Sequence, residues 1–139
     1  SYNQTILKKT KENKMQYMEV SNKSVQEVVD CLKEVCAKYK FGVQHIHNVN
    51  ETLKSKGIDL GNECQIVDIC NPIVAEKFLS EDMSLSIIMP CKIAVYTQDG
   101  ETMIAMNSLV QLVDDINPDL IELAQEVQEQ LLEIIDEIK

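Results

Sequence analysis

The chain has 139 residues, 45% of them apolar, so it can bury a sizeable core without a disulfide or a metal. Its formal charge of -10 excludes the basic face that nucleic acid or an anionic membrane would need. Five cysteines with no CxxC spacing, no secretory leader and no run approaching the ~20 apolar residues of a bilayer span point to free thiols in a reducing, cytoplasmic setting.

Residues 1–14 lack periodicity and read as a flexible tail carrying Lys8, Lys9, Lys11 and Lys14. A single α+β domain is expected over 15–139. Met15 to Val20 reads as a short strand. Ser24 and Glu27 then form an S-x-x-E capping box, in which each side chain satisfies the other's free backbone N–H. Val25, Val28, Val29, Leu32, Val35, Cys36 and Tyr39 follow at helical spacing, with Gly42 just beyond. Val43 to Val49 alternates as a strand, which sets Val43, His45, His47 and Val49 on one face. Asn50 is the expected N-cap of a short helix through Thr52 and Leu53, and Gly57 its C-terminal stop.

Glu63 to Cys70 reads as the next strand. Asn71-Pro72 opens a helix, with Asn as cap and Pro where its missing N–H costs nothing. Ile73, Val74, Phe78 and Leu79 supply its buried side. Leu85 to Met89 reads as extended and is stopped by Pro90. Lys92–Gln98 and Glu101–Met106 flank Asp99-Gly100, a two-residue type I′ hairpin turn. That turn pairs Val95 with Ile104, Ile93 with Met106 and Tyr96 with Met103, and it excludes a purely parallel sheet. Ser108 to Ile116 is helical, and Asn117-Pro118 repeats the capping device. The last helix carries Leu120, Ala124, Val127, Leu131, Ile134 and Ile138 at alternating steps of four and three. Ile121, Leu132 and Ile135 widen this stripe, and Glu122, Glu126, Glu129, Glu133 and Asp136 fill the opposite face. A broad stripe predicts a helix packed over a sheet, with a shared dimer helix as the alternative. The expected architecture is a small antiparallel or mixed sheet, helices mainly on one side, and a long C-terminal helix.

Two cysteines stand out chemically. Cys70 ends a strand just before a helix N-terminus, whose unpaired N–H groups favour a thiolate. Pro90 removes a ladder donor just before Cys91. If their strands are neighbours, the sulfurs form a dithiol, a soft-metal pair, or part of a haem or thiol-ligand pocket. Against this stands the ordinary use of free cysteine as a small apolar filler. His45 and His47, two apart on a strand, form an H-x-H metal pair without an identified third ligand. Cys31 and Cys36 lie about 140° apart around their helix and cannot share an ion. Cys64 shares a strand with Cys70. No P-loop, GxGxxG, GxSxG or HExxH occurs.

Phe41-Gly42-Val43, Thr52-Leu53-Lys54 with Gly57, Ile69-Cys70-Asn71-Pro72, Met89-Pro90-Cys91 and Ala94-Val95-Tyr96 together resemble the domain-of-unknown-function family DUF302. That family shows a GFGV start, a TLK segment, CNP and LPC motifs and a VVVY-like strand. The resemblance runs from about Met15 to the C-terminus. It departs at Lys40, His47 and Lys92, where the pattern has Gly, Asp and Asn. It implies a compact α+β fold, often dimeric, with the CNP and LPC cysteines as marked positions, and it implies no activity. The expectation is therefore a homodimeric ligand- or metal-binding accessory domain with Cys70, Asn71, Pro90 and Cys91 in its pocket. The ligand classes are a small anion, a soft metal or a haem-like group. No cofactor or catalytic residue is assigned, and the metal candidates are Cys70, Cys91, His45 and His47. The alternatives are a thiol-redox protein using Cys70 and Cys91, with Cα atoms within ~7 Å, and an interaction module without chemistry.

Overall fold

A computed structural model describes residues 15–139. The expected tail and its lysines lie outside the described residues. Strand β1 (Gln16–Ser21) leads to helix α1 (Val25–Lys38). The capping box forms as expected: Ser24 Oγ accepts from the Glu27 N–H at 3.1 Å, and Glu27 Oε1 accepts from the Ser24 N–H at 3.0 Å. At the other end of α1, the Phe41 N–H bonds to the Cys36 carbonyl and the Lys40 N–H to the Ala37 carbonyl. This is a Schellman stop with Lys40 in the left-handed region at φ 63°.

Strand β2 (Gly42–Asn48) and helix α2 (Val49–Ser55) follow. The cap of α2 is Asn48, whose side chain accepts from the Glu51 N–H at 3.2 Å, and not Asn50 as expected. Asn50 ties this helix to the next strand instead, accepting from the Cys64 N–H at 2.6 Å and donating to the Asn62 carbonyl. Gly57, at φ 77°, does close α2. Strand β3 (Cys64–Cys70) and helix α3 (Pro72–Glu81) meet at the Asn71 cap. The expected extended run at 85–89 is a 3₁₀ segment, Met83–Ile88. Asp82 sets it, accepting from the Ser84 N–H at 2.9 Å, and Leu85 anchors it in the core while Ile87 stays 82% exposed.

Strands β4 (Cys91–Gln98) and β5 (Glu101–Asn107) form the hairpin around Asp99 and Gly100, both at positive φ as a type I′ turn requires. Val95 faces Ile104 and Tyr96 faces Met103, the expected register. Helix α4 (Leu109–Ile116), a 3₁₀ turn (Pro118–Leu120) and helix α5 (Ile121–Ile138) complete the chain. The five strands make one antiparallel sheet in the order β1-β5-β4-β3-β2.

Helices α1 and α5 pack together over one face of this sheet. Its inward residues Val67, Ile69, Ile93, Val95 and Ile104 are 0–1% exposed. Each such side chain contributes about 1.5–3 kcal/mol by leaving water. On α5, Ala124, Val127, Leu131, Ile134, Ile135 and Ile138 are all buried in this core, and the acidic face is exposed. The seam that suggested a shared dimer helix is thus spent within the chain. The opposite sheet face carries Met18, Ile66, Ala94 and Ala105, each half-buried, and Met103, which is 6% exposed. No helix among them is long and apolar enough to cross a membrane.

Candidate functional site

The Cys70 and Cys91 corner sits where β3 ends and β4 begins. Ile69 faces Cys91 in the ladder, so Cys70 lies one position beyond that pair, beside Pro90. Cys70, Asn71, Pro90 and Cys91 line one narrow, apolar crevice closed by Phe41 and Phe78. The four residues singled out in the sequence are therefore brought together. The Asn71 side chain is already engaged, accepting from the Ile73 N–H at 3.1 Å and the Val74 N–H at 3.3 Å. The Met89–Pro90 peptide is cis.

Cys91 is free, as are Cys31, Cys36, Cys64 and Cys70. Burial pushes the Cys91 thiol up to about 11, and the neighbouring Cys70 acts in the same direction. Cys36, buried in α1, is likewise pushed up to about 11 by burial alone. It packs in the core, as expected for the α1 cysteines.

A second cavity lies on the other side of Pro90 and Cys91, between the 3₁₀ segment and α4. It measures about 220 Å³, with Ile87, Met89, Leu109, Leu112 and Leu131 among its walls. Lys92 and Asn107, both exposed, bring polar groups to it. Sequence reasoning missed this cavity because its walls come from segments far apart in the chain.

The histidines lie elsewhere, on that opposite sheet face. A bulge between Val43 and His45 breaks the regular alternation of β2. It turns Val43 toward the core together with Ile46, so Val43 does not share the histidine face. The His45 and His47 rings are both exposed, with centroids 4.2 Å apart and planes at 65°. His47 Nε2 lies 3.0 Å from Asp68 Oδ2, and Lys92 Nζ donates to Asp68 Oδ1 at 2.8 Å. Asp68 is only 8% exposed although it faces outward from β3. Burial pushes its carboxyl up, but the hydrogen bonds from Lys92 and His47 outweigh that, and the net displacement is downward. The ionised carboxylate can only accept, so His47 Nε2 carries the proton of their bond. Asp68 carries one signal in the sequence, as the single charged residue of strand β3. Among the described residues, no three of His, Cys, Asp and Glu converge to hold a metal ion.

With this geometry in hand, comparison with known proteins gives the family. A profile described as Domain of unknown function DUF302 matches residues 16–138, and the chain belongs to that family. It is similar to the uncharacterized conserved protein DUF302 from Bacillus stearothermophilus, known from a crystal structure. The two share 30% identity and a TM-score of 0.87, covering 91% of this chain and 100% of that one. No curated protein matches.

Proposed function

We propose that this member of the DUF302 family is a homodimeric ligand-binding accessory domain whose site is the corner around Pro90 and Cys91. The observation that carries the reading is the cavity of about 220 Å³ beside these two residues, apolar in its walls and provided with Lys92 and Asn107. Concave apolar surface with a few convergent polar groups is the usual form of a small-molecule site. The volume falls below the ~300–1,000 Å³ of drug-sized pockets, so it suits a small ligand and is too tight for a haem. The apolar walls take the body of the ligand, and its acidic head shares the Lys92 ammonium with Asp68, which that ammonium bonds at 2.8 Å. Cys91 acts as part of the wall. Its raised pKa speaks against a thiolate pair for a soft metal. For the homodimer, the exposed apolar side chains Ile73, Met83 and Ile87 offer surface, since the stripe of α5 is spent in the core.

A thiol-redox reading draws support from one observation, the adjacency of Cys70 and Cys91 at the end of the β3–β4 ladder. Burial at that position disfavours the ionised, reactive form of the Cys91 thiol.

The test is an NMR titration with hexanoate and benzoate, small acids with apolar bodies. Saturable shifts are expected at Ile87, Leu112 and Lys92. Leu112→Trp, at a partly exposed position on the cavity wall, should weaken binding tenfold or more while the spectrum stays dispersed. Sedimentation of the same samples is expected to give twice the 15.8 kDa chain mass. Absence of saturable shifts, or equal binding by Leu112→Trp, would sink the pocket. A mass of 15.8 kDa would sink the dimer.

A further inference from the structure

We propose that His45 and His47 form a site for a late first-row divalent metal ion, with Zn²⁺ as the type case, and that Asp68 is its positioning residue. The site lies on the sheet face opposite the helices, apart from the Pro90 and Cys91 corner. Lys92, through its bond to Asp68, is the one residue that it shares with that reading.

Three features of the geometry carry the inference. The two-residue alternation of β2 after its bulge puts the two rings on one face, edge to face, with centroids 4.2 Å apart. Two imidazoles on one tetrahedral ion, with metal–nitrogen bonds of ~2.0–2.1 Å, hold their centroids roughly 5 Å apart, so the exposed rings need open by only about 1 Å. Next, the 3.0 Å bond from His47 Nε2 to Asp68 fixes the tautomer. It leaves the Nδ1 lone pair free to ligate, because the proton sits on the nitrogen that faces the carboxylate. A carboxylate behind a ligating histidine is the usual outer support of such sites, orienting the ring and raising its basicity. Finally, Asp68 is itself held, since Lys92 bonds its other oxygen at 2.8 Å. The acid cannot swing away, and its charge offsets the Lys92 ammonium that would otherwise repel the ion.

Two protein ligands leave coordination positions on the solvent side, which water or a bound small molecule fills. Open zinc sites keep three protein ligands and closed ones four, so a site with two is an exposed, exchangeable one. Imidazole nitrogen suits Zn²⁺, Cu²⁺ and Ni²⁺ and gives little to Mg²⁺ or Ca²⁺. Apart from the interaction with Asp68, no hydrogen bond among the described residues engages either ring in the core. The pair is therefore not explained by packing.

The chain has two histidines, so ring nitrogen NMR reports on this site without overlap. The experiment is a Zn²⁺ titration read by long-range ¹H–¹⁵N spectra, using the Cys70→Ser, Cys91→Ser double variant to remove competing thiols at the corner. Expected are ligation shifts at His47 Nδ1 and at one His45 nitrogen, with His47 Nε2 still protonated. His45→Ala and His47→Ala should each weaken Zn²⁺ binding tenfold or more. Asp68→Asn should weaken it about 10–100-fold while both rings still shift at high Zn²⁺, the mark of a positioning role. The proposal is overturned if Zn²⁺ leaves the rings unshifted or if His47 ligates through Nε2. It is also overturned if Asp68→Asn binds as tightly as the parent. Dispersed spectra of each variant exclude unfolding as the cause.

Discussion

Two effects act on the sulfur of Cys91. Burial removes the water that would solvate a thiolate, and the neighbouring Cys70 adds like charge when ionised. Both favour the neutral thiol, and the pKa reaches about 11. At pH 7 only about one such thiol in 10⁴ is ionised, against a few per cent for an ordinary cysteine. Alkylation needs the thiolate. Iodoacetamide should therefore label Cys91 in the native protein at least ~100-fold more slowly than in urea. The native rate should rise nearly tenfold per pH unit until about pH 11. Peptide mass spectrometry of timed samples measures both. Native labelling at pH 6 as fast as in urea would mean an ionised thiol, and the redox reading would then displace the ligand-binding one.

At the scale of elements, the C-terminal stop of α1 shows what local sequence can and cannot reveal. Its Schellman bonds need a residue in the left-handed region, and Lys40 occupies that position at φ 63°. A residue with a Cβ spends about 1–2 kcal/mol to sit there, while glycine does so freely at some entropic cost. Lys40→Gly should therefore stabilise the protein by about 1 kcal/mol, seen as a higher urea midpoint at unchanged slope. A lower midpoint would mean that the Lys40 side chain contributes more than the strain costs. The lysine itself does not announce a left-handed backbone; the one signal for this stop is the glycine that the family pattern has at the same position. The Ser24–Glu27 box, the Asn71-Pro72 cap and the Asp99-Gly100 turn were legible because each is a contact between near neighbours. The expected cap, Asn50, lies two residues past the observed one, Asn48, because β2 ends one residue sooner than the alternation through Val49 suggests. The 3₁₀ segment was misread as a strand because its apolar residues fit either period over so short a span.

For the whole molecule, sheet order and the site walls depend on contacts across the chain, so the sequence stopped short there. It named all four corner residues, but not the cavity that Leu112 and Leu131 wall from the far end of the chain. It named both histidines, but not the Asp68 that the β2–β3 register sets beside them. The completed fold has a pH response that follows from its summed environments. On the acid side, Glu27, held by the backbone and hydroxyl of Ser24, sits below the ordinary carboxylate range. So do Asp82, bonded by Ser84, and Glu137, bonded by Tyr39 and Lys38. Their stabilisation is present above the unfolded carboxylate pKa and is lost as pH falls through their depressed values. On the alkaline side, burial raises Cys36 and Cys91 from 9.0 to about 11. A group raised in the fold contributes fully below its unfolded pKa, and that contribution is lost as pH rises to the folded value. The thiols therefore act between 9.0 and about 11, where water ionises them in the unfolded chain first. Tyr39, raised to about 12 chiefly by its bond to Glu137, acts in the same direction from a higher starting point. The urea midpoint should hold level through neutral pH and then fall steeply from pH 9. Replacing the thiol by Cys36→Val keeps an apolar group in the core and removes the ionisation, so the descent should become shallower while the acid limb is unchanged. An unaltered descent would mean that the core around Cys36 opens to water before its thiol ionises.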